Sequence, residues 1–300
     1  MSETDSRLRI FDSTWQALLL LLPTLSFLLA FLYWPFAETI WLSLHETTLI
    51  GEEVWVGLEH YVDLATSADY RWSVFVTVAF AALTVSISML IALVISFLIY
   101  EVDRWSGAYL VAAIWPYALP LSVAAVILEL IVHPELGIVT YAIQETLGLE
   151  FNWYLDGRLA FLVITLAAIW QGLGYSIIFI TAALGQLPYT ITEAAELDGV
   201  SKFDRLFRIY VPLISPTLVF LLVVRSVSGF FGGFALVDLM TDGGPGDATN
   251  ILIYNLYIDA FEYSEFGYAA AQSVILFGFV AILMVIQLRV SEKYAYYGGA

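Results

Sequence analysis

The stretch Glu193-Ala-Ala-Glu-Leu-Asp-Gly199 is charged and helix-prone, and it lies between two long apolar regions of the chain. It continues as Val-Ser-Lys-Phe-Asp-Arg-Leu-Phe-Arg-Ile-Tyr-Val and reaches Pro212 and then Pro216. A polar helix–turn–helix of this kind has no role inside a bilayer, where buried polar groups are costly. We therefore expect the segment to extend from one face of a membrane protein and to bind a soluble partner.

The composition identifies the class of protein. Hydrophobic residues make up 61% of the 300 residues and charged residues only 13%, whereas a soluble domain is about half apolar and about a quarter charged. The chain is therefore a polytopic membrane protein. It has no cysteine, and its three histidines lie in or beside predicted loops, so we expect no metal site. The net charge of −17 disfavours nucleic acid as a partner.

Six stretches are long and apolar enough to cross a lipid bilayer as helices, which takes about 20 residues each. They are residues 13–37, 73–100, 105–132, 159–185, 209–237 and 266–288. The third contains Pro116 and Pro120, and prolines are tolerated in membrane helices when neighbouring groups satisfy the freed carbonyls. The predicted fold is an all-α integral membrane protein with six transmembrane helices in one domain, residues 13–290.

Lysine and arginine set the orientation, because they are concentrated in cytoplasmic segments. With residues 1–12 in the cytoplasm, eight of the 11 basic residues lie inside, two outside and one, Arg225, within a span. An even number of spans also places the tail, residues 291–300, in the cytoplasm. The sequence thus predicts a multi-pass protein of the cell membrane with both termini cytoplasmic and residues 186–208 as its main cytoplasmic loop.

The predicted external loops are acidic. Residues 38–72, 133–158 and 238–265 contain seven, four and six carboxylates, respectively. An acidic surface stays solvated at high salt, and it also attracts a positively charged partner. Of these two explanations we favour the first, which predicts a halophilic source for the protein.

The cytoplasmic loop has the pattern of a helical elbow. Pro188 and Thr190 or Thr192 open a helix that holds Glu193 and Glu196 in its early turns, where the helix dipole favours anions. Gly199 ends this helix in the left-handed conformation, and Ser201 caps a second one. The second helix has apolar side chains at helical spacing and basic side chains on its other faces, namely Phe203, Leu206 and Phe207, and Lys202, Arg205 and Arg208. An apolar stripe with a charged rim fits a groove on a partner.

Two blocks of sequence carry a resemblance to a known family. The first is Glu193-Ala-Ala-x-x-Asp-Gly199, with Phe207, Ile209, Pro212 and Pro216 behind it. It resembles the EAA loop of ABC importer permeases. The second is Thr241-Asp-Gly-Gly-Pro245 with Thr249 and Gly267-Tyr-Ala-Ala-Ala271. It is similar to the carbohydrate-uptake branch, which imports oligosaccharides, monosaccharides and glycerol phosphate. The matching blocks cover roughly residues 165–290, and the resemblance implies the type I permease fold.

The resemblance also implies a mechanism and its partners. In this family two permease subunits, usually different chains, enclose a path, and two ATPase subunits beneath them bind ATP and Mg²⁺. An extracellular sugar-binding protein delivers the solute. Each EAA loop docks in a cleft of one ATPase, where Glu193 would pair with a basic residue, Gly199 would form the elbow, and the alanines would permit close approach. The residues assigned to coupling in this way are Glu193, Ala194, Ala195, Asp198, Gly199, Phe203 and Phe207. This chain itself would bind no cofactor.

One charged side chain falls inside a predicted span. Arg225 lies about 16 residues into the stretch 209–237, or about 24 Å along the helix, which places it in the outer half of the membrane. An arginine in a membrane is a functional candidate and needs a partner. Arg225 either faces the path and contacts sugar hydroxyls or a phosphate, or pairs with Glu129, or reaches the external interface.

Sugars bind to aromatic faces and hydrogen-bonding side chains, because a pyranose has an apolar face and a polar edge. The remaining candidates for the path are Glu129, Trp170, Gln171, Phe230, Phe231, Phe234 and Gln272. Glycines 229, 232 and 233 surround these phenylalanines and permit close helix packing or local unwinding. Each of the aromatic and amide side chains has packing as its alternative role.

Three functions compete at this stage. The chain has no phosphate-binding Gly-Lys-Ser/Thr loop and no HExxH, CxxC or GxSxG motif, so ATP hydrolysis must come from another polypeptide and we expect no enzyme here. A membrane enzyme would cluster His, Asp or Glu at one face, and no such cluster is apparent. A stand-alone secondary carrier of a small polar solute would show midplane ionisable residues and internal repeats. The best-supported prediction is the permease subunit of an ATP-driven sugar importer.

Overall fold

The structure is a computed structural model, and it describes residues 14–47, 53–102 and 104–294. The predicted N-terminal segment 1–12 and the end of the predicted tail, residues 295–300, lie outside the described residues. Five described helices are long and apolar enough to cross a membrane, and a bent helix pair brings the number to six. We refer to them as spans 1 to 6: Leu18–Leu42, Ala68–Tyr100, Ser106–Ala118 with Leu121–Val132, Gly157–Gly185, Ser215–Met240, and Phe266–Ser291.

Span 3 is not the continuous helix that the sequence predicted for residues 105–132. Its two halves meet at an angle of 96°, with a 3₁₀ turn at Trp115–Ala118 before the bend. Leu119 has an extended backbone, with φ −78° and ψ 134°, because the ring of Pro120 excludes the helical conformation from the residue before it. The bend leaves the carbonyl of Leu119 without a helical donor, and Gln171 Nε2 of span 4 donates to it over 3.3 Å.

Spans 2 and 4 form the centre of the bundle. The face of span 2 that packs inward contains small and hydroxyl-bearing residues, which allow the helix backbones to approach closely. Most of these hydroxyls are satisfied within the helix or across to span 4, whereas the buried Ser73 Oγ has no partner among the described residues. Thr77 and Thr84 donate to carbonyls one turn earlier, each over 2.7 Å, and Ser96 donates to the carbonyl of Ile177 over 3.3 Å. A polar stripe can therefore lie buried in an apolar bundle.

Span 5 is interrupted where the sequence contains two adjacent glycines. Its helix ends at Phe231 and resumes at Phe234, so Gly232 and Gly233 form the break. A β-carbon at Gly233 would lie 2.7 Å from Ile251 and 2.9 Å from Phe80. One turn earlier, a β-carbon at Gly229 would lie 3.2 Å from Ala81 of span 2. The glycines thus provide both the close packing and the local unwinding expected from the sequence.

Span 1 makes few contacts with the rest of its own chain. None of its apolar side chains is buried within the chain, and the ring of Phe36 packs against Phe277 of span 6 at 4.9 Å. The helix contains a π-helical turn at Leu29–Tyr33 and continues to Leu42, five residues beyond the predicted end of the span. A helix that is apolar on all sides is suited to a lipid or subunit environment.

The end of the bundle that carries residues 38–72 and 238–265 contains several short elements. Two three-residue strands, His45–Thr47 and Glu53–Trp55, pair antiparallel with His45 opposite Trp55, a small departure from the predicted all-α class. Short helices occupy Glu59–Thr66 and Ile138–Leu147. A helix at Leu252–Tyr257 continues as a π-helical turn at Ile258–Glu262. It is fixed to span 2, because the Leu252 amide donates to Thr77 Oγ1 over 2.8 Å.

The opposite end of the bundle carries the segment predicted to be the cytoplasmic loop. It contains the helix Tyr189–Leu197, the short helical turn Lys202–Asp204, a π-helical stretch Arg205–Tyr210 and the turn Val211–Leu213, which leads into span 5. Span 2 connects the two ends. Trp72 near its start donates to the carbonyl of Asp247 over 3.0 Å, whereas Tyr100 at its end contacts Thr192 of the loop.

Candidate coupling loop and translocation cavity

The helix Tyr189–Leu197, which we call the coupling helix, begins directly after Pro188. Its first turn contains no acidic residue, and the expectation that Glu196 lies in an early turn is wrong. Glu193 is in the second turn, and Glu196 is one residue from the end, where the helix dipole does not favour an anion. Proline starts the helix because it fixes φ and needs no N–H partner there.

The elbow after the coupling helix has the predicted geometry. Gly199 has a φ of +69°, a conformation that costs an L-residue with a β-carbon about 1–2 kcal/mol. The Gly199 amide donates to Glu196 O and the Val200 amide to Ala195 O, each over 3.0 Å. This pair of bonds is the Schellman motif that closes helix C-termini. Ser201 Oγ then accepts from the Asp204 amide over 3.2 Å and caps the next turn, as predicted.

The coupling helix and the turn after it expose a group of large apolar side chains. Leu197 is 88% exposed and Phe203 71% exposed, and the rings of Phe203 and Phe207 lie 4.7 Å apart. The predicted stripe of Phe203, Leu206 and Phe207 does not form one surface, because Leu206 is buried against the bundle. Leu197 of the coupling helix is exposed instead, and no pattern in the sequence predicted its exposure. We call Leu197, Phe203 and Phe207 the apolar knob.

The remaining predicted coupling residues surround the elbow. Glu193, Ala194 and Asp198 are exposed, and Ala195 is buried against the bundle. Glu193 is thus on the solvent side of the coupling helix, and no ion pair holds it among the described residues. Its carboxylate is available to an external cation, whereas the buried methyl of Ala195 leaves room for no larger side chain without local rearrangement.

Arg205 does not belong to the charged rim that the sequence predicted. It is 3% exposed and lies between two carboxylates. Its Nη1 donates to Glu196 Oε1 over 2.6 Å, and its Nη2 donates to Glu101 at the end of span 2. Burial lowers the pKa of the guanidinium, but the two carboxylates outweigh it and raise the pKa overall. The pair Glu101–Arg205 joins residues 104 positions apart, which is why the sequence pattern did not reveal it.

Tyr210 forms a second contact between the coupling helix and the bundle. Tyr210, which is fully buried, shares a hydrogen bond of 3.0 Å with Thr192 of the coupling helix. Its ring meets that of Tyr100 edge-on at 5.7 Å. The coupling helix is therefore attached to the end of span 2 and to the start of span 5 through Arg205 and Tyr210. We refer to these contacts as the brace.

Arg225 lines a cavity at the middle of the bundle. The observed span 5 starts at Ser215 rather than at residue 209, so Arg225 is about 15 Å along it and near mid-depth, not in the outer half. The cavity has a volume of about 270 Å³ and includes Thr84, Tyr117, Gln171 and Ser228 in its lining. Of the eight predicted path residues, Arg225 and Gln171 lie at this cavity.

The ion pair suggested between Arg225 and Glu129 is absent. Glu129 accepts a hydrogen bond of 2.5 Å from Tyr154 Oη and lies 3.9 Å from His133 Nε2. Burial, the hydrogen bond to Glu129 and the charge of Glu129 together raise the pKa of Tyr154 to about 12. The bend in span 3 lies between Glu129, in the half Leu121–Val132, and Tyr117, which lines the cavity beside Arg225.

The other predicted path residues are placed in packing contacts. Trp170 meets Trp115 edge-on at 5.7 Å, Phe230 lies 5.2 Å from Phe279, and Phe234 lies 4.8 Å from Tyr257. Phe231 is partly exposed on the surface of this chain.

Gln272 is 1% exposed, and its amide is engaged by Asn255 Nδ2 over 2.9 Å and by Asp259. This amide fixes the start of span 6 to the segment Ile258–Glu262 instead of facing the cavity. The half-buried Asp259 has a raised pKa, because burial outweighs the hydrogen bond from Gln272 that lowers it.

The site as described has two parts, an exposed elbow with an apolar knob at one end of the bundle and a cavity with an arginine at its middle. The family described as binding-protein-dependent transport system inner membrane component matches residues 104–294. The chain belongs to this family. It is a membrane-embedded permease component of a binding-protein-dependent ABC transport system, and this membership disfavours the stand-alone secondary carrier and an enzyme.

Relatives match this permease over almost its entire length. The sn-glycerol-3-phosphate transport system permease protein of Yersinia pestis is 36% identical over 284 residues, which are 94% of this chain and 96% of the relative. The corresponding protein of Salmonella typhi is 35% identical over 285 residues, 95% of this chain and 96% of the relative. The resemblance stated from the EAA pattern is thereby confirmed.

Solved structures show the same fold. A chain of a bacterial alginate ABC transporter, in complex with alginate pentasaccharide-bound periplasmic protein, superimposes on the permease with a TM-score of 0.82 at 20% identity. It covers 95% of this chain and 96% of its own. A chain of a bacterial ABC transporter involved in the import of the acidic polysaccharide alginate gives a TM-score of 0.80 at 21% identity, with 93% and 96% coverage. The type I permease fold is therefore established for this chain.

Proposed function

We propose that the permease forms half of the path of an ATP-driven importer of sugars or sugar-like solutes, and that its coupling helix docks in a cleft of an ATPase subunit. The single observation that carries this proposal is the elbow at Gly199, where the EAA pattern, a left-handed glycine and an exposed apolar knob coincide. An apolar surface of this kind on a charged helical segment is typical of a helix that binds in a groove.

The partners follow from the family. We propose a second permease subunit, usually a different chain, two ATPase subunits that hold ATP and Mg²⁺, and an extracellular solute-binding protein. Sugar import, or import of a glycerol phosphate, is supported by the relatives that carry out sn-glycerol-3-phosphate transport. We also propose that both termini and the coupling helix face the cytoplasm, which agrees with the distribution of basic residues.

The brace gives the docking a mechanical consequence. Because Arg205 and Tyr210 connect the coupling helix to spans 2 and 5, a displacement of the helix by the ATPase is transmitted to both spans. Span 5 carries the cavity-lining Arg225, and span 2 carries Thr84. Closure of the ATPase dimer would in this way change the shape of the cavity and switch the side from which it is accessible.

Cysteine cross-linking tests the docking directly, since the chain contains no cysteine of its own. Leu197→Cys is expected to cross-link to the ATPase in the assembled transporter and to react with an impermeant thiol reagent only from the cytoplasmic side. Leu155→Cys, with an 81% exposed parent residue near the other end of the bundle, serves as the matched control and should react only from outside. Labelling of Leu197→Cys from outside would disprove both the topology and the docking.

A glycine pair separates docking from local strain. Gly199 and Gly148 both end helices with positive φ, +69° and +63°, and a β-carbon added at either position would have no heavy atom within 4 Å. Gly199→Asp and Gly148→Asp therefore cost the chain a similar strain, about 1–2 kcal/mol. We expect only Gly199→Asp to abolish solute-stimulated ATPase activity and uptake. Equal losses in the two variants would contradict a docking role for the elbow.

A further inference from the structure

Arg225 is a charge at mid-depth without a counter-charge. Among the described residues, no Asp or Glu oxygen lies within 4 Å of its guanidinium, and its Nε is buried without a hydrogen-bond partner. Ionisable side chains inside a membrane pair with one another, contact carbonyls or face a water-filled path. Arg225 has the third arrangement, because it lines the cavity between spans 2, 3, 4 and 5.

The guanidinium of Arg225 occupies the space that Gly172 of span 4 leaves by having no side chain. A β-carbon at Gly172 would lie 2.3 Å from Nη2 of Arg225, closer than any real contact. The guanidinium thus rests on the backbone of span 4, near the middle of that helix. This placement excludes the alternative in which Arg225 extends to the external interface, since the side chain runs across the bundle to its neighbour.

The rest of the lining suits an anion. The polar groups at the cavity are the side chains of Thr84, Tyr117, Gln171 and Ser228, and no carboxylate is among the lining residues. The phenols of Tyr117 and Tyr175 are the electrostatic neighbours of Arg225. Thr84 and Ser228 donate their hydroxyl hydrogens to the carbonyls of Phe80 and Val224, so the donors left for a ligand are the Tyr117 hydroxyl and the second amide hydrogen of Gln171. The planar guanidinium matches the paired oxygens of a phosphate or carboxylate.

The size of the cavity agrees with a solute-binding site that two permease subunits share. About 270 Å³ is slightly below the range of roughly 300–1,000 Å³ that is typical of ligand pockets. A cavity of this size in one permease is sufficient for a single charged group of a solute. The remainder of the solute would then lie against the second permease subunit, across the path.

We infer that the cavity binds the anionic group of the transported solute, a phosphate monoester or a carboxylate, and that Arg225 provides the counter-charge. This inference rests on the proposed import function and narrows it, because it selects anionic over uncharged sugars. The solute, on this view, completes an ion pair that the permease does not form within its own described residues, and this attraction is available only while the cavity is accessible.

The experiment uses the assembled transporter, with both permeases, the ATPases and the binding protein, reconstituted in proteoliposomes. The probes are sn-glycerol 3-phosphate, an oligouronate and maltose, which carry a phosphate, carboxylates and no charge. We expect ATP-dependent uptake of the phosphate or the uronate and none of maltose. Arg225→Met should lower anion uptake at least 100-fold, and Arg225→Lys, which keeps the charge, should retain about a tenth of it.

Two glycine variants keep the test decisive if Arg225→Met does not assemble. Gly172→Ala leaves the charge in place but pushes the guanidinium away from span 4, and should lower anion uptake at least 10-fold. Gly278→Ala in span 6 has no heavy atom within 4 Å of the added carbon and should leave uptake unchanged. Equal uptake by the two glycine variants would overturn the inference.

Other outcomes separate the inference from the proposed function. Maltose uptake that Arg225→Met leaves intact would overturn the anion site while leaving an importer. Loss of the second permease from purified Arg225→Met complexes, with normal anion uptake by Arg225→Lys and Gly172→Ala, would also overturn it. That result would show that a carboxylate of the second permease neutralises Arg225. A complex that takes up none of the probes and binds no ATPase would overturn the proposed function itself.

Discussion

The permease contains two buried arginines with opposite environments. Arg205 in the brace has two carboxylates as partners and is closed off from solvent, whereas Arg225 in the cavity has none among the described residues. A guanidinium that is paired with two carboxylates of its own chain acts as a structural joint, although Nε of Arg205, like Nε of Arg225, has no hydrogen-bond partner among the described residues. A guanidinium that lies against a glycine and faces a cavity can bind a ligand from outside the chain. Under the proposed function, Arg205 belongs to the part that transmits movement and Arg225 to the part that recognises the solute.

The largest expected effect is on the brace. Arg205→Met would leave the nearly buried carboxylate of Glu101 with only Lys202 at 3.5 Å, and removing one partner of a buried pair costs about 3–5 kcal/mol. We expect the variant to lose about 3 kcal/mol of unfolding free energy, at the lower end because Lys202 remains. Denaturant unfolding of the purified permease in detergent measures it. A loss below about 1 kcal/mol would mean that the pairs contribute nothing beyond packing.

Arg225→Met is the matched substitution in the other environment. It orphans no partner and removes a desolvated charge, so we expect the unfolding free energy in detergent to change by less than about 1 kcal/mol. The same denaturant experiment on both arginine variants gives the comparison. If Arg225→Met were as destabilising as Arg205→Met, Arg225 would have a structural partner and the contrast between the two arginines would be wrong.

An effect between those of the two arginine variants is expected where the cavity meets the bend. Gln171→Leu would leave the carbonyl of Leu119 without its donor, and an unsatisfied buried acceptor costs about 1–3 kcal/mol. We expect a loss in that range, measured by thermal unfolding in detergent, together with weaker anion uptake because the two halves of span 3 line the cavity. Gln186→Leu, an exposed glutamine beyond the end of span 4, is the control and should be neutral.

The smallest effect concerns pH at the other end of the bundle. The raised pKa of Asp259 means that the folded permease holds the carboxyl proton more tightly than the unfolded chain does. Stability from this group is therefore present at low pH and lost as pH rises through the folded pKa. Asp259→Asn should remove that part of the pH dependence and be slightly more stable at pH about 7. Thermal unfolding between pH about 4 and about 7 measures it, and an unchanged profile would contradict the assignment.

The features that sequence could predict are those with local causes. Long apolar runs predicted the spans. Gly199 and Ser201 predicted the elbow, because a positive φ and a helix cap depend on a few neighbouring residues. The glycines at 232 and 233 likewise gave the interruption of span 5. The EAA pattern predicted the family, and relatives over the whole chain confirm it.

The features that sequence could not predict depend on distant pairs. Nothing around Arg205 distinguishes it from Arg208, which is exposed. Arg205 is buried where it pairs with Glu101 at the end of span 2, whereas Arg208 does not reach Glu101. The sequence could not predict the sharp bend at Pro120, because proline is compatible with both a kinked span and a broken one. With this bend, Glu129 accepts a hydrogen bond from Tyr154, and the ion pair with Arg225, one of the three predicted roles of that arginine, does not form.

The elbow at Gly199 has a consequence for how tightly the proposed ATPase partner binds. Its two closing hydrogen bonds and the serine cap all lie within residues 195–204, so the loop reaches its shape before any ATPase approaches. A segment that folds only on contact loses conformational entropy at that moment, which weakens binding. In this permease that entropy is lost while the chain itself folds, so the proposed docking on the ATPase would resemble the association of two rigid bodies.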